Sequence, residues 1–509
     1  MSKRLVFQGE SAPWKDDLAS RCSTCDHLLF IHRDQLDNPK MSRYGVGKVG
    51  ECLYAGCRCK SAAAPAPSMG SVIGRVARAA VPLFAFVAAL CSVLTAPAAA
   101  IPITHVVVVM QENRSVDNLF NGFTGADTVT CGAQSGRGRA CVPLTAMTLA
   151  SNFDPCHGHA CFMTEADLNQ QTSQYAMDGW DQATFSGCSV GCTYNPSAYY
   201  YVNPTYTTTY WSLATNFAFA DEMHQNNGGP SLPSHQFMIA GQAGFPYSIS
   251  ENMNSGDAGC ENSGTTNAIY VQSFPGVEGP GTYLACTDYA VIFDLLDKAG
   301  VSWKYYVHTL SPTGIEALWA APYVVQHMNN SGPTMAKVQR SSQFFTDVTN
   351  HTLPSVSYIM PSAANSDHAG SNSSDGTAGP KWVKSITDAI GGSSFYWGNT
   401  TILINWDDWG GWYDHVPPYC PLNATAAFCS TSVGFRTPLI VVSPYARAGL
   451  VDHTVRSQAA ILNYIESTFS LPSLGTLDAY TDNLGSMFNY GQSPLTYVSP
   501  PTPAPNSDP

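Results

Sequence analysis

Three short segments of this 509-residue chain carry residue types that could do chemistry together. Glu112-Asn113-Arg114-Ser115 and Asp407-Asp408 supply three carboxylates and an amide, a hard oxygen set that suits a divalent cation. The third, Gly228-Gly229-Pro230-Ser231-Leu232-Pro233-Ser234-His235, places one hydroxyl among Gly and Pro. Such a tight turn can present Ser231 at a helix start, where backbone N–H groups favour an anion and a nearby metal would lower the serine pKa. Most Gly-Pro-Ser turns are only turns, so Ser231 becomes a candidate nucleophile through the company of the carboxylates.

Each carboxylate segment directly follows a run of β-branched residues, 104–110 and 400–406. Continuous apolar runs rich in Val and Ile read as strands buried on both faces, the habit of a parallel sheet covered by helices. In open α/β sheets ligands bind beyond the carboxyl ends of strands, so Glu112, Asn113, Asp407 and Asp408 should gather at one edge. Ser115 is placed to cap a short helix. Residues 122–210 read as loop excursions over the strand ends. Helical spacing at 288–299 stops at Gly300, and 301–307 and 354–360 read as strands, the latter followed by Ser366-Asp367-His368. A helix at 381–390, a strand at 438–443 and an amphipathic helix at 457–469 continue the alternation. The pattern predicts one α/β domain, residues 101–492, with a doubly wound, mostly parallel sheet and helices on both faces. Residues 493–509, rich in proline, read as a flexible tail.

The first hundred residues differ in kind. Residues 69–100 have a basic start (Arg75, Arg78), an apolar stretch at 81–96 and a small-residue close, Ala98-Ala99-Ala100, which is the layout of a signal peptide. An uncleaved anchor through 81–96 is the alternative; a lipid anchor at Cys91 is weaker because Leu90 is not small. The leader, 1–68, contains Cys22-x-x-Cys25, Cys52, Cys57 and Cys59, which could form a zinc module, or translation could begin at Met69. A secreted or periplasmic protein is expected. Ten cysteines follow Ala100 in near neighbours, Cys131/Cys141, Cys156/Cys161, Cys188/Cys192, Cys260/Cys286 and Cys420/Cys429, as exported disulfides would be. Residues 101–509 hold 12 basic against 30 acidic residues, a net of −18, with no Lys/Arg cluster. Nucleic acid is thereby excluded as a partner.

Glu112-Asn113-Arg114-Ser115, Gly229-Pro230-Ser231 and Asp407-Asp408-Trp409-Gly410-Gly411-Trp412-Tyr413-Asp414-His415-Val416-Pro417-Pro418, in that order, resemble the bacterial phosphoesterase family that includes secreted phospholipases C and acid phosphatases. The resemblance runs from about residue 101 to 494. It implies an alkaline-phosphatase-like fold, a divalent metal of unspecified identity held by Glu112, Asn113, Asp407 and Asp408, and attack on phosphorus by Ser231. It also marks His157, in Asp154-Pro155-Cys156-His157-Gly158-His159, upstream of Met177-Asp178-Gly179. The gap between those elements is long, so His159 is a rival. His368 matches a phosphate-facing histidine, and Asp414 and His415 would touch substrate or support those that do. One histidine would protonate the leaving oxygen and help activate water.

The implied substrate is a phosphate ester, a phospholipid included, which would bring transient contact with a membrane surface. Family phospholipases often carry Thr at the nucleophile position, so Ser231 leans towards a phosphatase. The rival from another class is a non-catalytic surface binding protein on the same fold. A sulfatase is disfavoured because Ser231 lacks the local Cys/Ser-x-Pro-x-Arg signal. Tyr199, Tyr200, Tyr201, Tyr206, Tyr210 and Trp211 could cage a choline headgroup by cation–π contact or simply pack loops over the sheet. Oligomeric state is not legible.

Overall fold

The computed structural model describes residues 101–504 except 136–140, 151–152, 170–173, 183–184, 187–197, 244–247, 250–258, 261–265, 273–277, 285, 312–313, 371–375 and 422–432. Of residues 1–100 it describes only an antiparallel pair of two-residue strands, Ser20–Arg21 and Leu28–Leu29. The expected signal peptide, the leader cysteines, Cys91, Cys188, Cys192, Cys429 and residues 505–509 lie outside the described residues.

An eight-stranded sheet organises the domain. Its strands are β1 (His105–Gln111), β2 (Ala218–Ala220), β3 (Trp303–Val307), β4 (Val338–Arg340), β5 (Val356–Ile359), β6 (Thr400–Trp406), β7 (Leu439–Val442) and β8 (Leu450–Asp452). They lie in the order β4-β3-β5-β1-β6-β7-β2-β8. Only β7 runs against the others, antiparallel to both β6 and β2. The sheet is therefore mixed but mostly parallel, and seven strands end at one edge.

The principal helices are α1 (Val116–Leu119), α2 (His159–Ala166), α3 (Thr208–Asn216), α4 (Ser231–Ala240), α5 (Ile292–Ala299), α6 (Ser341–Thr349), α7 (Ala378–Gly391) and α8 (Ala460–Phe469). Alternation along the strands shows that they cover both faces. In β3, Trp303 and Tyr305 meet Phe293 of α5, with ring centroids 4.2 and 6.2 Å away, whereas Lys304 and Tyr306 reach Asp347 of α6. In β6, Thr401 bonds Tyr464 of α8 while Trp406 sets its ring edge-on to Tyr210 of α3. Every residue of β6 is buried, and β1 is buried from Val106 to Gln111, which accounts for their unbroken apolar sequences.

Ser115 caps α1 by accepting from Asn118 N. Disulfides join Cys131–Cys141, Cys156–Cys161 and Cys260–Cys286, and Cys420 is also disulfide-bonded. The chain beyond residue 493, expected as a flexible tail, lies against the domain as far as it is described. Leu495 N donates to Pro444 O at 2.8 Å, and Tyr497 and Ser499 hydroxyls donate to Asp388 at 2.8 and 2.7 Å. Those polar contacts hold a segment whose composition alone suggests no anchorage. No helix among the described residues is long and apolar enough to cross a membrane.

Candidate active site

The register of two neighbouring strands builds the site. Trp406, the last residue of β6, pairs with Gln111, the last of β1, so Glu112-Asn113 and Asp407-Asp408 leave the sheet side by side. Asp407 N donates to Gln111 O at 3.0 Å, and Asn113 N donates to the Asp407 carboxylate at 3.0 Å. Asn113 adopts φ 59°, a left-handed conformation that Asn tolerates better than most residues and that turns the chain sharply off the strand. Gly410 and Gly411 follow with φ 66° and 71°. A Cβ on Gly410 would stand 2.4 Å from Asn113 O, and one on Gly411 2.5 Å from Cys156 O, so only glycine lets these three loops close together.

Ser231 opens α4 and is 3% exposed. Its hydroxyl donates to Asp408 Oδ2 at 3.2 Å and lies 3.4 Å from Asn113 Oδ1. The preceding turn is tied down from both sides: Gln225 Nε2 donates to Gly229 O at 2.5 Å and to Ser234 Oγ at 2.9 Å, and His159 Nδ1 donates to Gly228 O at 2.5 Å.

Four residues after Ser231, one helical turn on, stands His235, which the sequence reading gave no role. Its Nε2 is 3.0 Å from Glu112 Oε1 and 3.6 Å from Asp407 Oδ2, and the three side chains bring one ligand atom each within 4.8 Å of one another. The i, i+4 spacing from the candidate serine was the available signal. Burial lowers its pKa to about 4 against the pull of Asp407, leaving a neutral imidazole.

Glu112, Asp407 and Asp408 are all 0% exposed, and among the described residues no Lys or Arg pairs with them. Glu112 Oε2 and Asp407 Oδ2 are buried without a hydrogen-bond partner. Burial first, then repulsion from Asp407, drives the pKa of both Glu112 and Asp408 far above the usual carboxylate range. A buried anionic cluster with orphaned oxygens is costly unless a cation joins it. The donor set, carboxylates with a neutral imidazole and an amide beside them, fits a divalent metal.

His157 and His368 face each other with ring centroids 5.6 Å apart. His157 Nε2 lies 3.0 Å from the Asn113 side-chain amide while Nδ1 donates to Pro155 O at 2.8 Å. Burial disfavours its charge, but the carboxylates of Asp154, Asp408 and Asp407 outweigh burial and raise its pKa to about 9. His368 is instead lowered, by burial above all. Its Nδ1 donates to Ala369 O at 2.5 Å, which leaves the lone pair on Nε2. The loop bearing it is strapped to the end of β1: Gln111 Oε1 accepts from Asp367 N, Gln111 Nε2 donates to Asn365 O, and Arg114 donates twice to Asp367 O.

Asp414 and His415 are placed elsewhere. Asp414 accepts from Arg436 Nε at 2.9 Å, and His415 Nδ1 lies 2.6 Å from Asp117 Oδ2, so their contacts run to a buried ion-pair network and not to the carboxylates beside Ser231. The aromatic residues considered for a cage also disperse into packing. Tyr199 rests on Tyr413, Tyr210 on Trp406, and Trp211 on Phe120 and Phe123.

The profile of the Phosphoesterase family matches residues 103–472. The chain belongs to that family, and so to the class of phosphoric ester hydrolases. It is similar to a protein of Pseudomonas aeruginosa called hemolytic phospholipase C, 25% identical over 80% of this chain, and spans 58% of the length of that relative. It is also similar to phospholipase C B of Mycobacterium tuberculosis, 24% identical over 80% of each chain. A solved structure from Vibrio parahaemolyticus, described as a protein in the alkaline phosphatase superfamily, is similar over 75% of this chain and 69% of that one, with 10% identity and a TM-score of 0.32.

Proposed function

We propose that residues 101–492 form a catalytic domain that hydrolyses phosphate esters, of phospholipase C type, through Ser231 and a metal held by Glu112, Asn113, Asp407 and Asp408, with His235 beside them. The observation that carries this reading is the Ser231 hydroxyl bonded at 3.2 Å to Asp408, at a helix N-terminus, among buried carboxylates that pair with no Lys or Arg among the described residues. A bound divalent ion would stabilise the serine alkoxide and the charge that spreads over the phosphoryl oxygens.

The chain's own groups supply the rest. Ser231 Oγ passes its proton to the Asp408 carboxylate that it faces and bonds to phosphorus, and the bond from phosphorus to the leaving oxygen breaks. His157, its charge favoured by the carboxylates around it, gives that oxygen its proton. The phosphoserine is then attacked by water, which gives one proton to a ring nitrogen and keeps the other on the new phosphate oxygen, and the Ser231 oxygen leaves phosphorus and takes its proton back from Asp408. His368, held neutral with its proton on Nδ1, sits opposite and offers its Nε2 lone pair as an acceptor for a proton of the attacking water. The two imidazoles are thus pushed apart in pKa, as an acid and its neutral companion need to be.

The diester reading over the phosphatase one rests on the names of the two curated relatives. The intact set of reactive residues supports an enzyme over a non-catalytic binding protein. Disulfides suit export through residues 69–100. The test is turnover of p-nitrophenyl phosphate, p-nitrophenyl phosphorylcholine and phosphatidylcholine vesicles by wild type and Ser231→Ala. The expected result is phosphorylcholine release by wild type and a loss of about 10³-fold or more in the variant with unchanged melting. Near wild-type turnover by Ser231→Ala would exclude the covalent serine route.

A further inference from the structure

The disulfide Cys156–Cys161 closes a short loop whose interior residues are His157, Gly158, His159 and Ala160. Three parts of the site lean on that loop. His157 meets Asn113 at 3.0 Å. The Cys156 carbonyl fills the space beside Gly411, where a Cβ would come within 2.5 Å. On its far side His159 Nδ1 donates to Gly228 O, three residues before Ser231. Phe162, on the same helix α2 and nearly parallel to the His159 ring at 5.9 Å, occupies the position of a Gly228 side chain, with its ring carbon 2.4 Å from an ideal Cβ. The helix continues to Glu165, whose carboxyl accepts Trp409 Nε1 at 2.7 Å, again in the metal-loop segment.

We infer that this disulfide-closed loop is a positioning clasp, and that His159 is a positioning residue which holds the Gly228–Ser231 turn so that the serine hydroxyl stays on Asp408. The inference rests on the serine reading above. A carbonyl can only accept, so His159 must hold its proton on Nδ1, and it is this N–H that holds the turn. A residue that merely filled space could be replaced by any side chain of similar volume. One that holds a carbonyl needs a donor two bonds beyond Cβ, which Asn supplies and Gln does not. The disulfide matters because it fixes the two histidines relative to each other, His157 on the metal side and His159 on the nucleophile side.

The experiment uses the full chain with His159→Asn, His159→Gln, His159→Ala and the double variant Cys156→Ser/Cys161→Ser, alongside Ser231→Ala. Two readouts are taken: kcat and KM for p-nitrophenyl phosphorylcholine, and backbone hydrogen exchange in the peptide spanning 226–234. His159→Ala and His159→Gln should lower kcat by roughly 3- to 10-fold, the worth of one hydrogen bond, with KM little changed and faster exchange around Ser231. His159→Asn should restore both to near wild type. The double cysteine variant should also speed exchange there and lower kcat at least as much. Equal kcat and equal exchange in His159→Ala and wild type would overturn the inference, as would Asn and Ala behaving alike. If Ser231→Ala keeps turnover, the serine reading fails instead, and the exchange readout still decides whether His159 holds the turn.

Discussion

Two buried acidic clusters lie close together in this sequence and meet opposite fates. In one, Asp117 and Asp414 are joined by Arg436, which donates to Asp414 at 2.9 Å, approaches Asp117 at 3.5 Å and Glu222 at 3.4 Å, and caps the carbonyls of Asp127 and Asp221. His415 adds a further contact to Asp117. In the other, Glu112, Asp407 and Asp408 have the same burial and, among the described residues, no guanidinium pairs with them. Asp414 stands only seven positions after Asp407. The first cluster is complete as it stands, with its charge met by a permanent cation and its oxygens hydrogen-bonded. The second leaves oxygens orphaned on Glu112 and Asp407, with the pKa of Glu112 and Asp408 driven by burial far above the usual carboxylate range, a state that a bound cation would relieve. A cluster of Asp and His is therefore not in itself a metal site; what matters is whether the protein has already supplied the counter-charge.

The comparison breaks most visibly at Asp408. Asp408→Asn removes one negative charge from the proposed metal site and, with Oδ1 held by Gly410 N, turns an amide NH2 towards the Ser231 hydroxyl in place of its acceptor, so kcat should fall by about 10³-fold or more, while chemical denaturation midpoints measured with chelator present stay level or rise because repulsion in the cluster is relieved. A variant with substantial activity would remove Asp408 from the site. Arg436→Met should do the reverse. It strands Asp117 and Asp414 without a cation and should cost about 3–5 kcal/mol in urea denaturation. A loss under about 1 kcal/mol would mean that the Arg436 network does not carry the weight assigned to it.

The difference between the clusters was only half legible in the sequence. The strand ends could be read because buried β-branched runs mark strands, and a parallel sheet gathers residues at their carboxyl ends, so Glu112, Asn113, Asp407 and Asp408 were placed together from a single chain. Asp414 and His415 were grouped with them by adjacency in one motif. Nothing in that motif says that Arg436, supplied from the segment before β7, claims Asp414. His235 went unassigned although Ser231 was read at a helix start, because nothing local says which face of that helix meets Glu112. The direction of β7 was also hidden. Leu439–Val442 is buried on both faces like its neighbours, so its composition is the same whichever way it runs. The three-residue strands β2, β4 and β8 carry too little pattern to be seen at all.

A third buried acid sharpens the contrast with a proton in place of a cation. Glu466 of α8 is raised to about 7, by burial first and then by Asp478, while its Oε1 accepts from Leu474 N at 3.0 Å. Its folded pKa exceeds the unfolded value, so the native state keeps a proton that the unfolded chain releases, and stability falls as pH rises from about 4.5 to about 7. Glu466→Gln, which keeps the accepting oxygen, should raise the melting temperature by a few degrees at pH 8 and leave it unchanged at pH 4.5. Equal shifts at both pH values would mean that the carboxyl is not the source.

The most direct test of the account is the metal content of purified protein. Elemental analysis should be run on wild type, Asp407→Asn and Asp414→Asn after dialysis against a mixture of divalent ions. The account predicts close to one divalent ion per wild-type chain, loss of it in Asp407→Asn, and retention in Asp414→Asn despite that variant's lower stability. Full occupancy in Asp407→Asn, or loss confined to Asp414→Asn, would place the ion in the wrong cluster and contradict the assignment.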